Sequence, residues 1–193
     1  MALSIMKQIN MGIVGCGAIA ADEAMIGRIL PNVHLTACCD VDLERAEAFA
    51  RKYKIPFATD DFAKLLAQPD LNSVYLAVPH DLHYNMILQA VEAGKHVFTE
   101  KPLTRTYAEG VDLIAKTGDA KIAANYQYRY DVGCYALARA VQRGDLGNIH
   151  SVRINVPWHR EADYFEQASW HKTIARAGGG TLITQASHLL DIA

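Results

Sequence analysis

The sequence predicts an α/β fold, a doubly wound parallel sheet followed by the start of an α+β domain. Three observations carry this prediction. From residue 10 to about residue 144, short and almost continuously apolar runs alternate with stretches of helical spacing, as parallel strands covered by crossover helices require. A glycine-rich turn, Gly15-Cys16-Gly17-Ala18-Ile19-Ala20, separates the first apolar run from the first helical stretch. Beyond Gly147 the pattern changes to apolar–polar alternation and then to an irregular, aromatic-rich segment.

Taken in order, residues 10–14 are the first predicted strand, and the helix opened by the glycine turn ends near Leu30-Pro31. Residues 33–39 form a second strand. Leu43, Ala46, Phe49, Ala50 and Tyr53 then recur at helical spacing on one face. A short strand over 55–58 follows, with Asp60 as the expected cap of a helix running to Leu66. Residues 73–78 are a strand and 81–93 a helix, with Gly94 where a C-terminal cap glycine belongs. The next strand spans 96–99, and Tyr107, Val111 and Ile114 mark the helix after it. A strand over 121–125 precedes a helix carrying Cys134, Leu137, Ala138 and Val141 that ends near Gly144. Residues 149–156 alternate as a strand with one wetter face does. A last helix is expected from about Thr181, after Gly178-Gly179-Gly180. The domain boundary falls near 145–148, giving a dinucleotide-type domain over 1–146 and a second, incomplete one over 147–193.

Composition narrows the function classes. With 51% hydrophobic and 21% charged residues over 193 positions, the chain has the profile of a globular protein. A net charge of −2 leaves no basic footprint for nucleic acid. No apolar run is long enough to span a bilayer, and the first ten residues lack the features of a signal peptide, so a cytoplasmic location is expected. Cys16, Cys38, Cys39 and Cys134 form no Cys-x-x-Cys pair, and the neighbours Cys38 and Cys39 point to opposite faces of a strand. They read as small buried residues rather than a zinc site or disulfide framework.

The glycine turn suits a particular chemistry. Gly15 permits a tight turn, Gly17 lets the backbone approach a diphosphate, and the small Ala20 lets helix and strand pack closely. A diphosphate would meet the free N–H groups and positive dipole end of the helix, around Cys16, Ala18 and Ile19. Asp40, ending the second strand, stands where a carboxylate accepts hydrogen bonds from ribose hydroxyls and repels a 2′-phosphate, which favours NAD over NADP. The alternative for Asp40 is a solvated turn residue that starts the next helix with Asp42. Arg45 could meet a phosphate, though its helical position suits a surface charge better. Glu100-Lys101-Pro102 follows a strand at the carboxyl edge of the sheet, where open α/β folds bind ligands. Proline keeps Lys101 extended, and an amine at that edge can exchange a proton with a substrate hydroxyl. Taken alone, the tripeptide would better suit a surface charge pair before a turn.

In its longer context the tripeptide is more telling. The stretch from Leu82 through His83-Tyr84-Asn85 to Ala93-Gly94-Lys95-His96-Val97-Phe98-Thr99-Glu100-Lys101-Pro102 resembles the glucose-fructose oxidoreductase/inositol dehydrogenase/rhizopine catabolism (Gfo/Idh/MocA) family. The resemblance extends to Tyr128-Arg129-Tyr130, to residues 144–149, and to the triple glycine followed by His188 and Asp191. It implies a Rossmann domain and hydride transfer between a nicotinamide and a secondary alcohol of a sugar, polyol or related carbohydrate. Lys101 would contact both nicotinamide region and substrate hydroxyl, through a peptide bond to Pro102 that is often cis. His188 would share the proton with it. Val78, Pro79, His83 and Glu100 would line the cofactor cleft, Arg129 would lie near nicotinamide or substrate, and Asp191 would support its helix.

One position departs from the pattern. Many family members carry an aspartate four residues before the histidine, where this chain has Thr184. Helical spacing would keep Thr184 beside His188 and able to bond a substrate hydroxyl, but not to act as a carboxylate base. Trp170 is the better of the two tryptophans for a wall against a sugar, with Trp158 the other. His80 and His83 mimic a His-x-x-His pair, but no third ligand is evident and no metal is expected. Two other readings occur within the family: a non-catalytic dinucleotide-binding sensor, and an NAD-dependent glycosidase. Members usually continue into an open antiparallel sheet that covers the active site and often forms a dimer face, so a homo-oligomer is expected where that domain is complete.

Overall fold

The computed structural model describes residues 8–193. Six strands, β1 (Ile9–Val14), β2 (Val33–Cys39), β3 (Phe57–Thr59), β4 (Ser73–Leu76), β5 (His96–Glu100) and β6 (Ile122–Asn125), form one sheet in the order β3-β2-β1-β4-β5-β6. Every neighbouring pair is parallel. Chain direction around the sheet reverses between β1 and β4, so the crossovers leave on opposite faces and open a crevice at the strands' carboxyl ends. The crossover helices are α1 (Ala18–Ile29), α2 (Leu43–Tyr53), α3 (Phe62–Leu66), α4 (His80–Glu92) and α5 (Tyr107–Thr117).

Two cores result, one on each face. Ile13, Cys38 and Tyr75 pack with Ala20 and Ala24 of α1 and Phe49 and Tyr53 of α2. The adjacent strand positions Val14, Cys39, Val74 and Leu76 pack with Leu65 of α3, Ile87 of α4 and Leu113 of α5. Adjacent residues on a strand serve opposite faces, so these strands must be apolar at nearly every position. Cys38 and Cys39 divide between the two cores accordingly, and all four cysteines are free thiols.

Local chemistry sets the helix ends. The Asp42 carboxylate accepts from the Arg45 amide at the start of α2, and Thr106 accepts from Glu109 at the start of α5. Gly94 follows α4 at φ 72°, the left-handed position a helix stop favours. At α3 the cap is Asp61, not Asp60 as the sequence suggested: its carboxylate reaches the Ala63 and Lys64 amides. A capping oxygen must sit on the residue directly before the helix, and α3 starts at Phe62.

After β6 come a 3₁₀ turn (Gln127–Tyr130), α6 (Val132–Gln142), α7 (Ala162–Gln167), a second 3₁₀ turn (Ser169–Lys172), α8 (Ile174–Ala177), α9 (Thr181–Thr184) and α10 (Ser187–Ile192). Two expectations fail here. Residues 149–156 form no strand, and none of the described strands pairs with them to take up their backbone groups. The single helix expected from Thr181 is two, broken at Gln185 and Ala186. Smaller differences are that β3 starts two residues later and ends one residue later than expected, and that β4 stops at Leu76. No described helix is long and apolar enough to cross a membrane.

Candidate functional site

The glycine turn joins β1 to α1 at the crevice. Gly15 adopts φ 85°, and a Cβ there would lie 2.3 Å from the carbonyl oxygen of Ala77, so this position admits glycine alone. The turn is thereby pressed against the chain leaving β4, with Val78 alongside. Gly17 differs: a Cβ on it would meet nothing within 4 Å, and no side chain caps α1. Gly17, Ala18 and Ile19 are exposed, so uncapped first-turn amides of α1 face open space at the sheet edge. The Cys16 amide is already committed, donating to Asp40 Oδ2 at 2.8 Å.

Asp40 is 7% exposed and ties the crevice together. Besides Cys16, its other oxygen accepts from the Asp42 amide at 3.0 Å and from Arg45 Nη1 at 3.2 Å. The alternative of a solvated turn residue does not hold: Asp40 is a buried acceptor with an arginine over it. Arg45 also pairs with Asp42.

Lys101 leaves β5 at the same edge, and its peptide bond to Pro102 is cis. Its Nζ donates to the Thr184 carbonyl at 2.7 Å. Burial holds its pKa below the ordinary lysine value, opposed by the Glu100 carboxylate and aided by the Arg160 charge. Glu100 itself is anchored, accepting from Tyr75 at 2.7 Å and from Asn125 at 2.9 Å. His83 lies beneath this loop at 0% exposure, with Nδ1 2.7 Å from the Pro102 carbonyl and Nε2 3.0 Å from that of Val78. Its ring ties the Lys101 loop to the Val78–Pro79 loop from inside rather than facing the crevice. Pro79 precedes α4 directly.

The chain after α6 supplies the opposite wall. His188 packs between the rings of Tyr126 and Tyr128, at centroid distances of 6.0 and 5.1 Å. Burial and then the Lys101 charge push its pKa down, and its Nδ1 is buried without a hydrogen-bond partner among the described residues. Arg129 points away to Asp191, pairing with both carboxylate oxygens and so tying the 3₁₀ turn to α10. The break at Gln185 and Ala186 leaves Thr184 and His188 on different helices, α9 and α10. The Thr184 hydroxyl donates to Gly180 at 3.1 Å, and it is the Thr184 main chain that meets Lys101.

Trp170 stacks on His171 at 3.6 Å and leans on His80 at 4.4 Å. His171 and Tyr164 stack in turn at 4.7 Å. Beside this ladder opens a cleft of about 330 Å³ whose walls include Trp158, Arg160, Tyr164, His171, Thr184 and Gln185. Sequence reasoning singled out neither Arg160, Tyr164, His171 nor Gln185. The one sequence signal for them was the aromatic density of the segment before the triple glycine.

The histidines make the wall acid-sensitive. Burial pushes His80 and His171 down from 6.5 to about 4. The unfolded chain takes up protons near the ordinary value and the folded chain only near 4, so stability is full above about 6.5 and falls as pH drops through that window. For His80, whose Nδ1 lies 2.8 Å from the Ala177 carbonyl, the slope approaches about 1.4 kcal/mol per pH unit. Thermal melts across the window should therefore show a falling Tm with a shallower slope in His80→Gln; an unchanged slope would remove His80 from the account.

Residues 9–126 match the family described as the oxidoreductase family with NAD-binding Rossmann fold, and residues 134–193 match the GFO/IDH/MocA C-terminal domain. Levoglucosan dehydrogenase of Pseudarthrobacter phenanthrenivorans is 27% identical over 198 residues, covering 97% of this chain and 51% of that protein. Inositol 2-dehydrogenase of Salmonella paratyphi B is 30% identical over 144 residues, covering 72% and 43%. The WlbA dehydrogenase of Bordetella pertussis, solved in complex with NADH and UDP-GlcNAcA, has a TM-score of 0.88 at 26% identity, covering 96% of this chain and 58% of that one. The chain spans about half the length of the relatives it matches. With its glycine turn, its β3-β2-β1-β4-β5-β6 sheet and the match over residues 9–126, the chain belongs to the Gfo/Idh/MocA oxidoreductase family.

Proposed function

We propose that the whole protein transfers hydride between a nicotinamide and a secondary alcohol of a sugar, polyol or related carbohydrate, and that it uses NAD in preference to NADP. The observation that carries this reading is Lys101: a half-buried amine with a depressed pKa, held at the carboxyl edge of the sheet by the Thr184 carbonyl. Relatives named for levoglucosan and inositol point to the same substrate class.

The chain's residues fit a dinucleotide. The open space above Gly17 and the uncapped start of α1 suit a diphosphate, and Asp40 ends β2 where a ribose would lie. A bound nicotinamide supplies the hydride acceptor or donor. Lys101, when neutral, takes the hydroxyl proton in oxidation and returns it in reduction. The Thr184 carbonyl orients its Nζ, and His188, whose pKa the Lys101 charge lowers, is the second proton-handling group. Asp40 carries the preference for NAD, its charge opposing a 2′-phosphate. Residues 147–193 are read as the start of a substrate domain, and the protein as a cytoplasmic homo-oligomer, the reduced thiols fitting that compartment.

Asp40→Asn should raise the KM for NAD and shift the NAD/NADP ratio of kcat/KM toward NADP by about tenfold, as loss of one charge–phosphate repulsion allows. Steady-state kinetics with both cofactors measures it, and an unchanged ratio would take specificity away from Asp40.

A further inference from the structure

Arg160 stands apart from most arginines of the chain. Arg45, Arg105, Arg129, Arg143 and Arg176 each reach a carboxylate. Arg160 enters no ion pair among the described residues. Its Nη2 donates to the neutral Oε1 of Gln185 at 2.8 Å, and its guanidinium lies 5.0 Å over the Tyr164 ring and 5.8 Å over that of Trp158. The cleft it lines contains no aspartate or glutamate. Its charge is nevertheless felt across the cleft, at His171 and at Lys101. Arg160 therefore borders the cleft as a cation with no carboxylate in the lining to pair with it.

We infer that this cleft takes a sugar bearing an anionic group, a carboxylate or a phosphate, with Arg160 as the counter-ion and Trp158 and Tyr164 as its apolar wall. A guanidinium presents five N–H donors in a planar fork that matches either anion, and Gln185 occupies one nitrogen only. The rings beneath keep water off one face, which strengthens the charge-assisted bonds. Thr184, neutral on the same wall, adds no repulsion toward an acid. This inference names the substrate class of the oxidoreductase proposed above and rests on that reading for the role of Lys101.

The test is calorimetric titration of the whole protein, with and without NAD, using D-glucose, D-glucuronate and D-glucose 6-phosphate, paired with reduced-cofactor absorbance on the same samples. At least one anionic sugar should bind about tenfold or more tightly than glucose. Arg160→Ala should erase that advantage while moving glucose affinity by less than about twofold, and Arg160→Lys should restore part of it. Added salt should weaken the anion and spare glucose. Which of the two anions carries the effect separates a carboxylate from a phosphate source. Equal binding of all three sugars, binding of none, or an equal loss for glucose and anions in Arg160→Ala would overturn the inference. Failure of the hydride-transfer reading looks different: absorbance stays flat with every sugar while Arg160-dependent anion binding persists.

Discussion

Lys101→Ala should lower kcat by about a thousandfold or more, the scale expected when the group exchanging the substrate proton is lost. Cofactor affinity should stay nearly unchanged, because the residues that fit the dinucleotide lie on the β1–α1 turn and at the end of β2. Fluorescence titration with NADH separates the two effects. The pH profile adds a second reading. In the oxidation direction the active form of Lys101 is the neutral amine, so the rate should rise with pH through its pKa. Burial places that pKa below the ordinary lysine value, and the nearby Arg160 charge lowers it further. Removing Arg160 should therefore move the rising limb to higher pH. A limb that stays in place, or a Lys101→Ala protein with undiminished turnover, would require another proton acceptor, with His188 the first to examine.

The two glycines of the turn should respond in opposite ways. Gly15→Ala combines a left-handed φ of 85° with a Cβ 2.3 Å from the Ala77 carbonyl oxygen. Backbone must move where β1 and β4 meet, at an expected cost of about 3 kcal/mol or more. Urea denaturation should show this, together with loss of cofactor binding. Gly17→Ala meets no protein atom within 4 Å and starts from a negative φ of −84°, so stability should change by less than about 1 kcal/mol. Its methyl group would instead enter the space assigned to the diphosphate, and the KM for NAD should rise about tenfold. If Gly17→Ala unfolds the protein or leaves KM unaltered, the open space above that residue is not where the cofactor runs.

These contrasts locate what could be read from sequence and what could not. Strand–helix alternation was legible because a parallel sheet buried on both faces leaves a strong local signature, and Ile13/Val14 and Cys38/Cys39 show it resolved into two cores. The cap at Asp61 was missed by one residue, since two adjacent aspartates satisfy the same pattern and only the first helical residue decides between them. Residues 149–156 were misread for a deeper reason. Alternation describes a strand's side chains, but a strand exists only where a neighbour takes up its backbone groups, and none of the described residues does so.

The candidate site divides along the same line. Local sequence marked the glycine turn and Asp40, because that chemistry is written within short motifs whose place at the sheet edge follows from the alternation, whereas the Glu100-Lys101-Pro102 corner became telling only through the longer stretch from Leu82 to Pro102. Contacts between distant segments were set by tertiary packing. Thr184 meets Lys101 through its carbonyl, 83 residues away, because the chain breaks between α9 and α10. Arg129 pairs with Asp191, and His83, expected to line the cofactor cleft, is buried beneath the Lys101 loop. Spacing along one helix governed the sequence-based view of Thr184 and His188, and that helix is interrupted. Fold class and the cofactor-type edge follow from local periodicity and short motifs, which the amino-acid order carries on its own. Which groups face Lys101, and that Arg160 borders the cleft without a carboxylate, depend instead on where separate segments pack.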